Sequence, residues 1–313
     1  MADYICIDGG TTNTRLRLVQ SRRVTYTLRL EIGVRMGGED PAGYRECLKN
    51  AIETLLQENA VQSGQIHRIL ASGMITSELG LYALPHLPAP AGIQELHDSA
   101  VEVLLPELSS IPFVFLRGVR KNGTCMEESD VMRGEETELM GILQPHSGNA
   151  YVLPGSHTKV IYTDEQGRIT DFFTTLTGEM IDSLSSHTIL KNSVDLKNGQ
   201  LLEDRLLAGY AFCRKEGLNK ALFKVRIADT LFSQSPAARY SFFLGAVLCG
   251  DITAILNAAP RRVVIAGREQ IKEALYTILK QETDLELFRL TPEETENSVA
   301  LGAVRIFEYG QTV

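Results

Sequence analysis

Residues 4–19 read YICIDGGTTNTRLRLV and contain the turn from which the fold can be predicted. The apolar run ends at the carboxylate of Asp8, and two glycines and two threonines follow before Leu16 and Leu18 alternate with polar residues. This order predicts a buried strand, a tight turn and a second strand, which together form a β-hairpin. Because glycine leaves backbone N–H groups uncovered and threonine adds hydroxyl groups, the tip of this hairpin can approach a phosphate closely.

The same pattern returns in the middle of the chain. Residues 151–162 read YVLPGSHTKVIY, which again predicts a strand, a small polar turn and a returning strand. In both places a third strand is predicted next, over residues 23–31 and 169–175. A repeat that spans half the chain predicts two similar domains, each of which opens with a hairpin able to bind phosphate.

The length of 313 residues also favours two domains, since a single hydrophobic core usually stops growing below this size. After each three-stranded meander the sequence predicts strands that alternate with helices, which is typical of a mixed sheet in an α/β domain. We place the first domain at residues 1–146, completed by a C-terminal helix over 297–313, and the second domain at 147–296.

Composition excludes several classes of function. The formal net charge of -8 and the lack of clustered Lys and Arg argue against a nucleic-acid surface. The N-terminal segment has no basic region followed by a long apolar stretch, and we find no run of about 20 apolar residues that predicts a membrane helix. The five cysteines are widely separated and form no CxxC pair, so we expect neither disulfides nor a zinc site. We therefore expect a cytoplasmic protein without nucleic-acid or membrane partners.

Three common nucleotide or hydrolase motifs are missing from the sequence. It contains no GxxxxGK followed by Ser or Thr, no dinucleotide fingerprint and no GxSxG elbow. The two hairpin turns, DGGTTN and PGSHTK, remain, together with a turn at Gly267 between a predicted strand and a predicted helix. Each turn alone is a weak signal, because glycine and threonine are common turn residues. Their order and spacing together are much more specific.

This order resembles the phosphate-one, phosphate-two and adenosine motifs of the superfamily that contains actin, the hexokinases and the heat-shock ATPases. Over nearly the whole chain, five strings resemble the 2-dehydro-3-deoxygalactonokinase family of sugar-acid kinases: SGMITS, MRGEETELMGIL, LPGSHTKVIY, TLTGEMIDSLSSHTIL and VVIAGREQIKEAL. The resemblance implies an α/β fold of two ribonuclease H-like domains, as in actin-like ATPases, that face each other across a nucleotide cleft. It also implies transfer of the γ-phosphoryl group of ATP to the C6 hydroxyl of 2-dehydro-3-deoxy-D-galactonate, with Mg²⁺.

The resemblance also implies roles for individual residues. Asp8, at the end of a buried strand, is suited to hold a hydrated Mg²⁺ ion. Either Glu135 or Glu136 would accept the proton of the acceptor hydroxyl, and the sequence gives only a slight preference for Glu135. The residues expected to bind the nucleotide lie in the three turns: Gly9, Gly10, Thr11, Thr12, Gly155, Ser156, His157, Thr158 and Gly267.

A substrate that is itself an acid needs a fixed cation, and three guanidinium groups are available. These belong to Arg15, Arg120 and Arg133, each of which could instead pair with a glutamate. The predicted sugar-acid site is completed by four further residues: Asn13, Ser72, Gly73 and Met74.

Two alternatives stay open at this point. The chain could phosphorylate another small sugar or sugar acid, such as 2-dehydro-3-deoxygluconate. It could also be an ATP-driven switch or sensor that binds a partner protein without phosphorylating anything. A homodimer is compatible with the sequence, which does not fix the oligomeric state.

Overall fold

The computed structural model describes residues 2–143, 149–197, 200–267 and 269–311. The strands are β1 (Asp3–Gly9), β2 (Thr14–Gln20), β3 (Arg23–Leu30), β4 (Ile66–Gly73), β5 (Leu87–Pro88), β6 (Val101–Val103), β7 (Phe113–Phe115), β8 (Val119–Lys121), β9 (Asp130–Met132), β10 (Asn149–Leu153), β11 (Thr158–Thr163), β12 (Ile169–Thr175), β13 (Arg262–Ile265) and β14 (Glu286–Arg289). The α-helices are α1 (Val34–Glu39), α2 (Pro41–Glu58), α3 (Ile93–Asp98), α4 (Glu135–Ile142), α5 (Thr177–His187), α6 (Glu203–Glu216), α7 (Leu218–Thr230), α8 (Pro236–Asn257), α9 (Glu269–Glu282) and α10 (Pro292–Phe307).

The chain divides into two compact units. The first comprises the described residues within 1–147, 164–171 and 293–313, and the second those within 148–163 and 172–292. The prediction placed residues 164–171 in the second domain, but they group with the first unit. The boundary predicted between residues 146 and 147 lies outside the described residues, as do the last two residues of the predicted C-terminal helix.

The first unit is built on a six-stranded sheet in the order β3-β2-β1-β4-β7-β6. Strands β1, β2 and β3 form the predicted antiparallel meander, and β4 runs parallel to β1. Gly9 is paired with Thr14 on one side and with Gly73 on the other. The hairpin tip and the carboxyl end of β4 therefore lie at the same edge of the sheet.

Asp40, Pro41 and the apolar spacing of residues 44–56 predict a helix, and α2 follows this pattern closely. Pro41 occupies its first position, and the side chain of Asp40 accepts a hydrogen bond from the Gly43 amide at 3.0 Å, which satisfies one of the free donors of the first turn. The apolar stripe of the helix is buried in the core of the first unit, where Leu48 and Ile52 pack with residues of β1 and β2.

Two features of the first unit differ from what the sequence pattern predicts. The apolar residues over 93–105 predict one helix, but α3 ends at Asp98 and β6 follows it. Val101 and Val103 flank the exposed Glu102 and pair with β7, so pairing with β7 determines the conformation of this segment. A separate three-stranded sheet, β5-β8-β9, was not predicted, because its strands have only two or three residues each.

The second unit repeats the strand arrangement of the first. Its sheet has the order β12-β11-β10-β13-β14, in which β10 and β11 are antiparallel, and β13 and β14 run parallel to β10 and to each other. The first five strands of the other sheet, β3-β2-β1-β4-β7, follow the same plan. The internal repeat predicted from the two hairpins is thus present in the sheets.

Helix α8 is the central helix of the second unit. By length and composition it could cross a membrane, contrary to the sequence expectation, but 67% of its most apolar stretch is buried inside the fold. Core helices of soluble proteins commonly have the same properties. Gly245 lets α6 approach α8 closely, because a Cβ atom there would lie 2.0 Å from the carbonyl oxygen of Leu206.

Candidate active site

The tip of the β1–β2 hairpin has a fixed backbone and exposed side chains. Within the turn, the Gly10 amide donates to the carbonyl oxygen of Asn13 at 2.9 Å. The carbonyl oxygens of Gly10 and Thr11 accept hydrogen bonds of 3.1 Å from the first two amides of α1. The side chains of Thr11, Thr12 and Asn13 are exposed, and the Asn13 amide donates to the Thr12 hydroxyl at 3.0 Å. The tip can therefore offer hydroxyl and amide groups to a ligand without rearranging its backbone.

Three glycine turns of the first unit are in direct contact. Gly73 has a φ of +83°, and a Cβ atom there would lie 2.7 Å from the carbonyl oxygen of Gly9 and 3.5 Å from Oδ1 of Asp8. Gly134 has a φ of +117°, and its Cβ position lies 3.2 Å from the Cα atom of Gly73. These left-handed conformations and close approaches require glycine. They bring the start of α4, and with it Glu135, next to the end of β1.

Asp8 is held by two arginines of β2. Its side chain is 18% exposed and accepts a hydrogen bond from Nη1 of Arg15 at 3.1 Å, with Nη1 of Arg17 at 4.0 Å. The Arg17 side chain is only 3% exposed, and its Nη2 atom lies 3.0 Å from Oε1 of Glu296 on α10. The burial of Arg17 was not predicted, because its place between Leu16 and Leu18 in an alternating strand predicts an exposed side chain.

The two glutamates at the start of α4 differ in exposure. Glu135 is half-buried, and its Oε2 atom accepts a hydrogen bond from the Arg133 amide at 3.0 Å. Glu136 has no exposed surface, and its carboxylate accepts from the Gly134 amide at 2.9 Å and from the Thr137 hydroxyl at 3.1 Å. Burial, followed by the charge of Glu135, raises the pKa of Glu136 to about 8. Of the two, only Glu135 has a carboxylate that a ligand could reach.

A third glutamate of α4 belongs to the same acidic group. Burial raises the pKa of Glu138 to about 8, and the charges of Glu135 and Asp8 add to the rise, whereas a hydrogen bond from Ser298 opposes it. Within the described ranges, no group of three or more His, Cys, Asp or Glu side chains is arranged to enclose a metal ion. A Mg²⁺ ion that keeps most of its waters needs only one or two carboxylates, and Asp8 can supply one.

The three candidate arginines are in different environments. The guanidinium of Arg133 donates to the Thr76 carbonyl at 2.7 Å, to the Thr76 hydroxyl at 2.6 Å and to the Leu84 carbonyl at 3.0 Å. Burial lowers its pKa, although an arginine so far above neutrality stays charged. Arg15 is paired with Asp8. Both guanidinium groups therefore already have partners within the first unit.

Arg120 is the exposed member of the three. It lies on β8, and in the parts of the chain that the structure describes its guanidinium has no hydrogen bond or ion pair. Its charge lies near His86, whose pKa is lowered to about 4, first by burial and then by Arg133 and Arg120. At the end of β4, Ser72 is buried and Met74 is half-buried.

In the second unit, the β10–β11 hairpin presents the other predicted turn. Gly155, Ser156 and His157 are exposed at its tip, whereas Thr158 is 1% exposed and begins β11. Gly267 has a φ of +87°, and a Cβ atom there would lie 2.8 Å from the carbonyl oxygen of Pro154. The predicted turn between β13 and α9 therefore contacts the hairpin directly.

Helix α5 begins against the same hairpin, which the sequence analysis did not predict. A Cβ atom on Gly178 would lie 1.9 Å from the carbonyl oxygen of Gly155, and the Glu179 amide donates to the Ser156 carbonyl at 3.0 Å. Among the described residues, the amides of Thr177 and Gly178 have no hydrogen-bond acceptor. Free amides in the first turn of a helix favour an anion. The sequence contains one sign of this helix start, the Thr-Gly pair at residues 177 and 178.

Comparison with known proteins identifies the family of the chain. Residues 8–303 match the family model described as 2-keto-3-deoxy-galactonokinase. The chain belongs to this family. Family membership confirms the prediction of a sugar-acid kinase that uses ATP. It favours the predicted galactonate derivative over the two alternatives that the sequence left open.

Individual relatives support the same assignment. The chain is 30% identical over 258 residues to the 2-dehydro-3-deoxygalactonokinase of Escherichia coli strain K12, covering 80% of this chain and 78% of that protein. A crystal structure of a Sinorhizobium meliloti protein assigned as a 2-dehydro-3-deoxygalactonokinase superposes with a TM-score of 0.79 at 21% identity, covering 99% of this chain and 97% of that one. Component A of the (R)-2-hydroxyglutaryl-CoA dehydratase of Acidaminococcus fermentans has a TM-score of 0.52 at 14% identity, with 97% of each chain covered. The predicted α/β fold of the actin-like ATPase type is confirmed.

The roles of single residues stay predictions. The structure brings Asp8, Gly73 and the start of α4 together in the first unit, and it places Gly267 against Pro154 of the hairpin in the second. It buries Glu136 and Thr158, and it uses the donors of Arg133 within the fold. The residues that the sequence analysis missed are Arg17, Glu138, Thr177 and Gly178.

Proposed function

We propose that this protein transfers the γ-phosphoryl group of ATP to the C6 hydroxyl of 2-dehydro-3-deoxy-D-galactonate, with Mg²⁺, in the cytoplasm. The observation that carries the proposal is the position of Glu135 in a chain of this family. Its half-buried carboxylate belongs to the first turn of α4, whose Gly134 contacts Gly73 next to Asp8 and the hairpin tip. Phosphoryl transfer requires a positioned acceptor hydroxyl, backbone donors and a metal, and little covalent chemistry by the protein.

Asp8 is the residue that would hold Mg²⁺. Its carboxylate is partly exposed and lies beside the turn at Gly73, where no side chain intervenes. The bound ion would neutralise charge on the phosphates as the γ-phosphoryl group moves. Arg15 and Arg17 fix the carboxylate from the side of β2, so Asp8 keeps its orientation before the ion arrives.

Glu135 would accept the proton of the C6 hydroxyl as the new oxygen–phosphorus bond forms. The proton leaves the attacking oxygen, and the electron pair of the broken O–P bond stays with the β-phosphate of ADP. Glu136, with no exposed surface, is better suited to fix the first turn of α4 through its hydrogen bond from the Gly134 amide.

The carboxylate of the substrate needs a cation with free donors. Arg120 meets this requirement, because its exposed guanidinium has no partner within the described part of the chain. An arginine binds a carboxylate through two parallel hydrogen bonds, which distinguishes a sugar acid from a neutral sugar. Arg120 thus supports an acid as the substrate. Discrimination between the galactonate and gluconate derivatives, which are C4 epimers, would depend on contacts to the C4 hydroxyl.

A coupled assay of ADP release tests the proposal. The purified protein is given ATP and Mg²⁺ with 2-dehydro-3-deoxy-D-galactonate, 2-dehydro-3-deoxy-D-gluconate, galactonate or a neutral hexose. We expect rapid ADP release with the first compound and phosphate on its C6 oxygen. Faster turnover of 2-dehydro-3-deoxy-D-gluconate, the C4 epimer, would change the proposed substrate but not the proposed kinase reaction. If no acceptor changes the rate of ADP release, the kinase reaction is contradicted.

The Glu135→Gln variant tests the proposed base, with Glu136→Gln as the matched comparison. Loss of a general base is expected to lower kcat by about 100-fold to 10,000-fold. Binding of ATP, measured by calorimetry, should change little in the Glu135→Gln variant, because Glu135 acts on the acceptor. If Glu136→Gln lowers kcat more than Glu135→Gln does, the assignment of the base is wrong.

A further inference from the structure

Three arginines of the first unit lie on one face of the meander beside Asp8. The strand register places Asp8 opposite Arg15 and Arg15 opposite Arg29, and Arg17 lies two residues further along the same face of β2. Residues directly opposite in neighbouring strands have their side chains close together, so like charges there repel each other. One aspartate cannot balance three guanidinium groups, which leaves an excess of positive charge where the proposed function requires a metal ion.

Glu296 of α10 supplies the missing negative charge. Its Oε1 atom accepts a hydrogen bond from Nη2 of Arg17 at 3.0 Å and lies 3.0 Å from Nη2 of Arg29. Burial acts to raise the pKa of Glu296, but the hydrogen bonds and charges of the two arginines outweigh it and lower the pKa. Glu296 is therefore ionised at neutral pH, and its one carboxylate serves two of the three guanidinium groups.

Arg17 links the carboxylates of Glu296 and Asp8. Its side chain is 3% exposed; its Nη2 atom binds Glu296, and its Nη1 atom lies 4.0 Å from Oδ2 of Asp8. Among the described residues, these are the two carboxylates within 4.0 Å of the Arg17 guanidinium. A buried charge needs a partner, because the lost hydration is otherwise not compensated. Without the charge of Glu296, Arg17 would draw the carboxylate of Asp8 into a closer ion pair and away from a metal ion.

We propose that Glu296 is a positioning residue for Mg²⁺ binding, which neutralises Arg17 and Arg29 and so keeps the carboxylate of Asp8 available to the ion. The inference rests on the proposed function, in which Asp8 holds Mg²⁺. It adds to that function a residue of the C-terminal helix α10 that acts on the ion without touching it. It also explains why an acid of this helix is paired with a buried arginine of β2.

The experiment measures ADP binding by calorimetry, once with Mg²⁺ and once with EDTA, without any sugar acid. The ratio of the two affinities is the metal gain. We expect Glu296→Gln to lower the metal gain by about 10-fold, because the arginines then oppose a divalent ion with one more unit of positive charge. Binding of ADP in EDTA should not weaken, since the loss of a negative charge does not repel phosphates. If ADP binding weakens equally with and without metal, the effect is structural and the inference is overturned.

Glu308→Gln is the matched control for the loss of one negative charge. Glu308 directly follows α10, pairs with Arg22 at 2.8 Å and accepts a hydrogen bond from the Tyr4 hydroxyl at 3.1 Å. Tyr4 lies four residues before Asp8 on β1, which corresponds to about 13 Å. This variant should keep the metal gain of the wild type. A gain that falls as much as in Glu296→Gln would overturn the role assigned to Glu296.

A double-mutant cycle with Arg17→Met tests the route of the effect. The methionine keeps an apolar stem and removes the charge, and Glu296 retains Arg29 as a partner. If Glu296 acts mainly through Arg17, Glu296→Gln should lower the metal gain much less in the Arg17→Met background than in the wild type. An equal loss in both backgrounds would overturn the proposed route.

Three outcomes separate this inference from the proposed reaction. An unchanged metal gain in Glu296→Gln, beside normal phosphorylation of the sugar acid, would overturn the positioning role alone. A wild-type protein whose ADP affinity does not increase with Mg²⁺ would also overturn it. A protein that loses the metal gain in Glu296→Gln as expected, but phosphorylates no sugar acid, would refute the proposed reaction and leave the positioning role intact.

Discussion

Replacing Glu136 by glutamine is expected to change how the stability of the protein depends on pH. The Glu136 carboxyl has no exposed surface, and burial is the main cause of the rise of its pKa from 4.5 to about 8. Between these two values the folded protein holds a proton on Glu136 that the unfolded chain has released. Stability therefore decreases as the pH rises through this range, since the folded state binds more protons than the unfolded state.

The size of the effect follows from the shift. Each pKa unit corresponds to about 1.4 kcal/mol, so the ionisation of Glu136 lowers the free energy of unfolding by at most about 5 kcal/mol. The contribution is fully present below pH 4.5 and is lost by about pH 8. The hydrogen bonds from the Gly134 amide and the Thr137 hydroxyl favour the charged form, and the value of about 8 already includes their effect. We expect a measured effect of up to about 5 kcal/mol.

The assay is urea unfolding of the wild type and of Glu136→Gln at several values between pH 5 and pH 9. A glutamine keeps the shape and the acceptor for the Gly134 amide but cannot ionise. The difference in unfolding free energy between variant and wild type reports Glu136 together with its coupling to Glu135, because titrating groups away from Glu136 contribute equally to both proteins. The variant should gain stability relative to the wild type as the pH rises. A difference that stays constant, or that changes in favour of the wild type, would refute the reasoning.

Two further variants test other parts of the first unit. Gly73→Ala places a methyl group 2.7 Å from the Gly9 carbonyl oxygen at a φ of +83°, and urea unfolding should show a loss of about 1 to 3 kcal/mol. An unchanged stability would mean that the glycine turns are not packed as described, and Gly64→Ala, where the added methyl group meets nothing within 4 Å, is the control. Arg120→Gln should raise KM for the sugar acid by about 10-fold or more while KM for ATP stays constant, as steady-state kinetics can show. Equal changes in both KM values would contradict a role of Arg120 in binding the substrate carboxylate.

Much of the fold follows from local patterns in the sequence. The strands on both sides of DGGTTN and PGSHTK and the helix that starts at Pro41 lie close to their predicted positions. These elements have a clear period of two or 3.6 residues and strong turn or capping residues. The strand Val101–Val103 was missed, because three residues are too few to show a period, and pairing with β7 determines its conformation.

The candidate site could be predicted only where its residues are adjacent to a glycine turn in the sequence. Asp8 and Glu135 stand next to glycine turns and were found in this way. Glu138 and Arg17 were not, because their proximity to Asp8 arises from the packing of α4 and β2 at one edge of the sheet. The choice between Glu135 and Glu136 also needed the structure, since exposure of adjacent helical residues depends on what packs against the helix.

The sequence by itself determined the two hairpins, their repetition and the family to which the chain belongs, because these are properties of residue order along the chain. The tertiary structure decided which acids are buried, which arginines keep free donors and which glycines are in contact. The DGGTTN turn shows what each of the two contributes, the sequence and the tertiary structure. Its residues predict a tip that can approach a phosphate, but its contact with Gly73 depends on the parallel pairing of β1 with β4, more than 50 residues apart. Such contacts are made by backbone hydrogen bonds, which any residue except proline can donate, and the sequence therefore leaves no local trace of them.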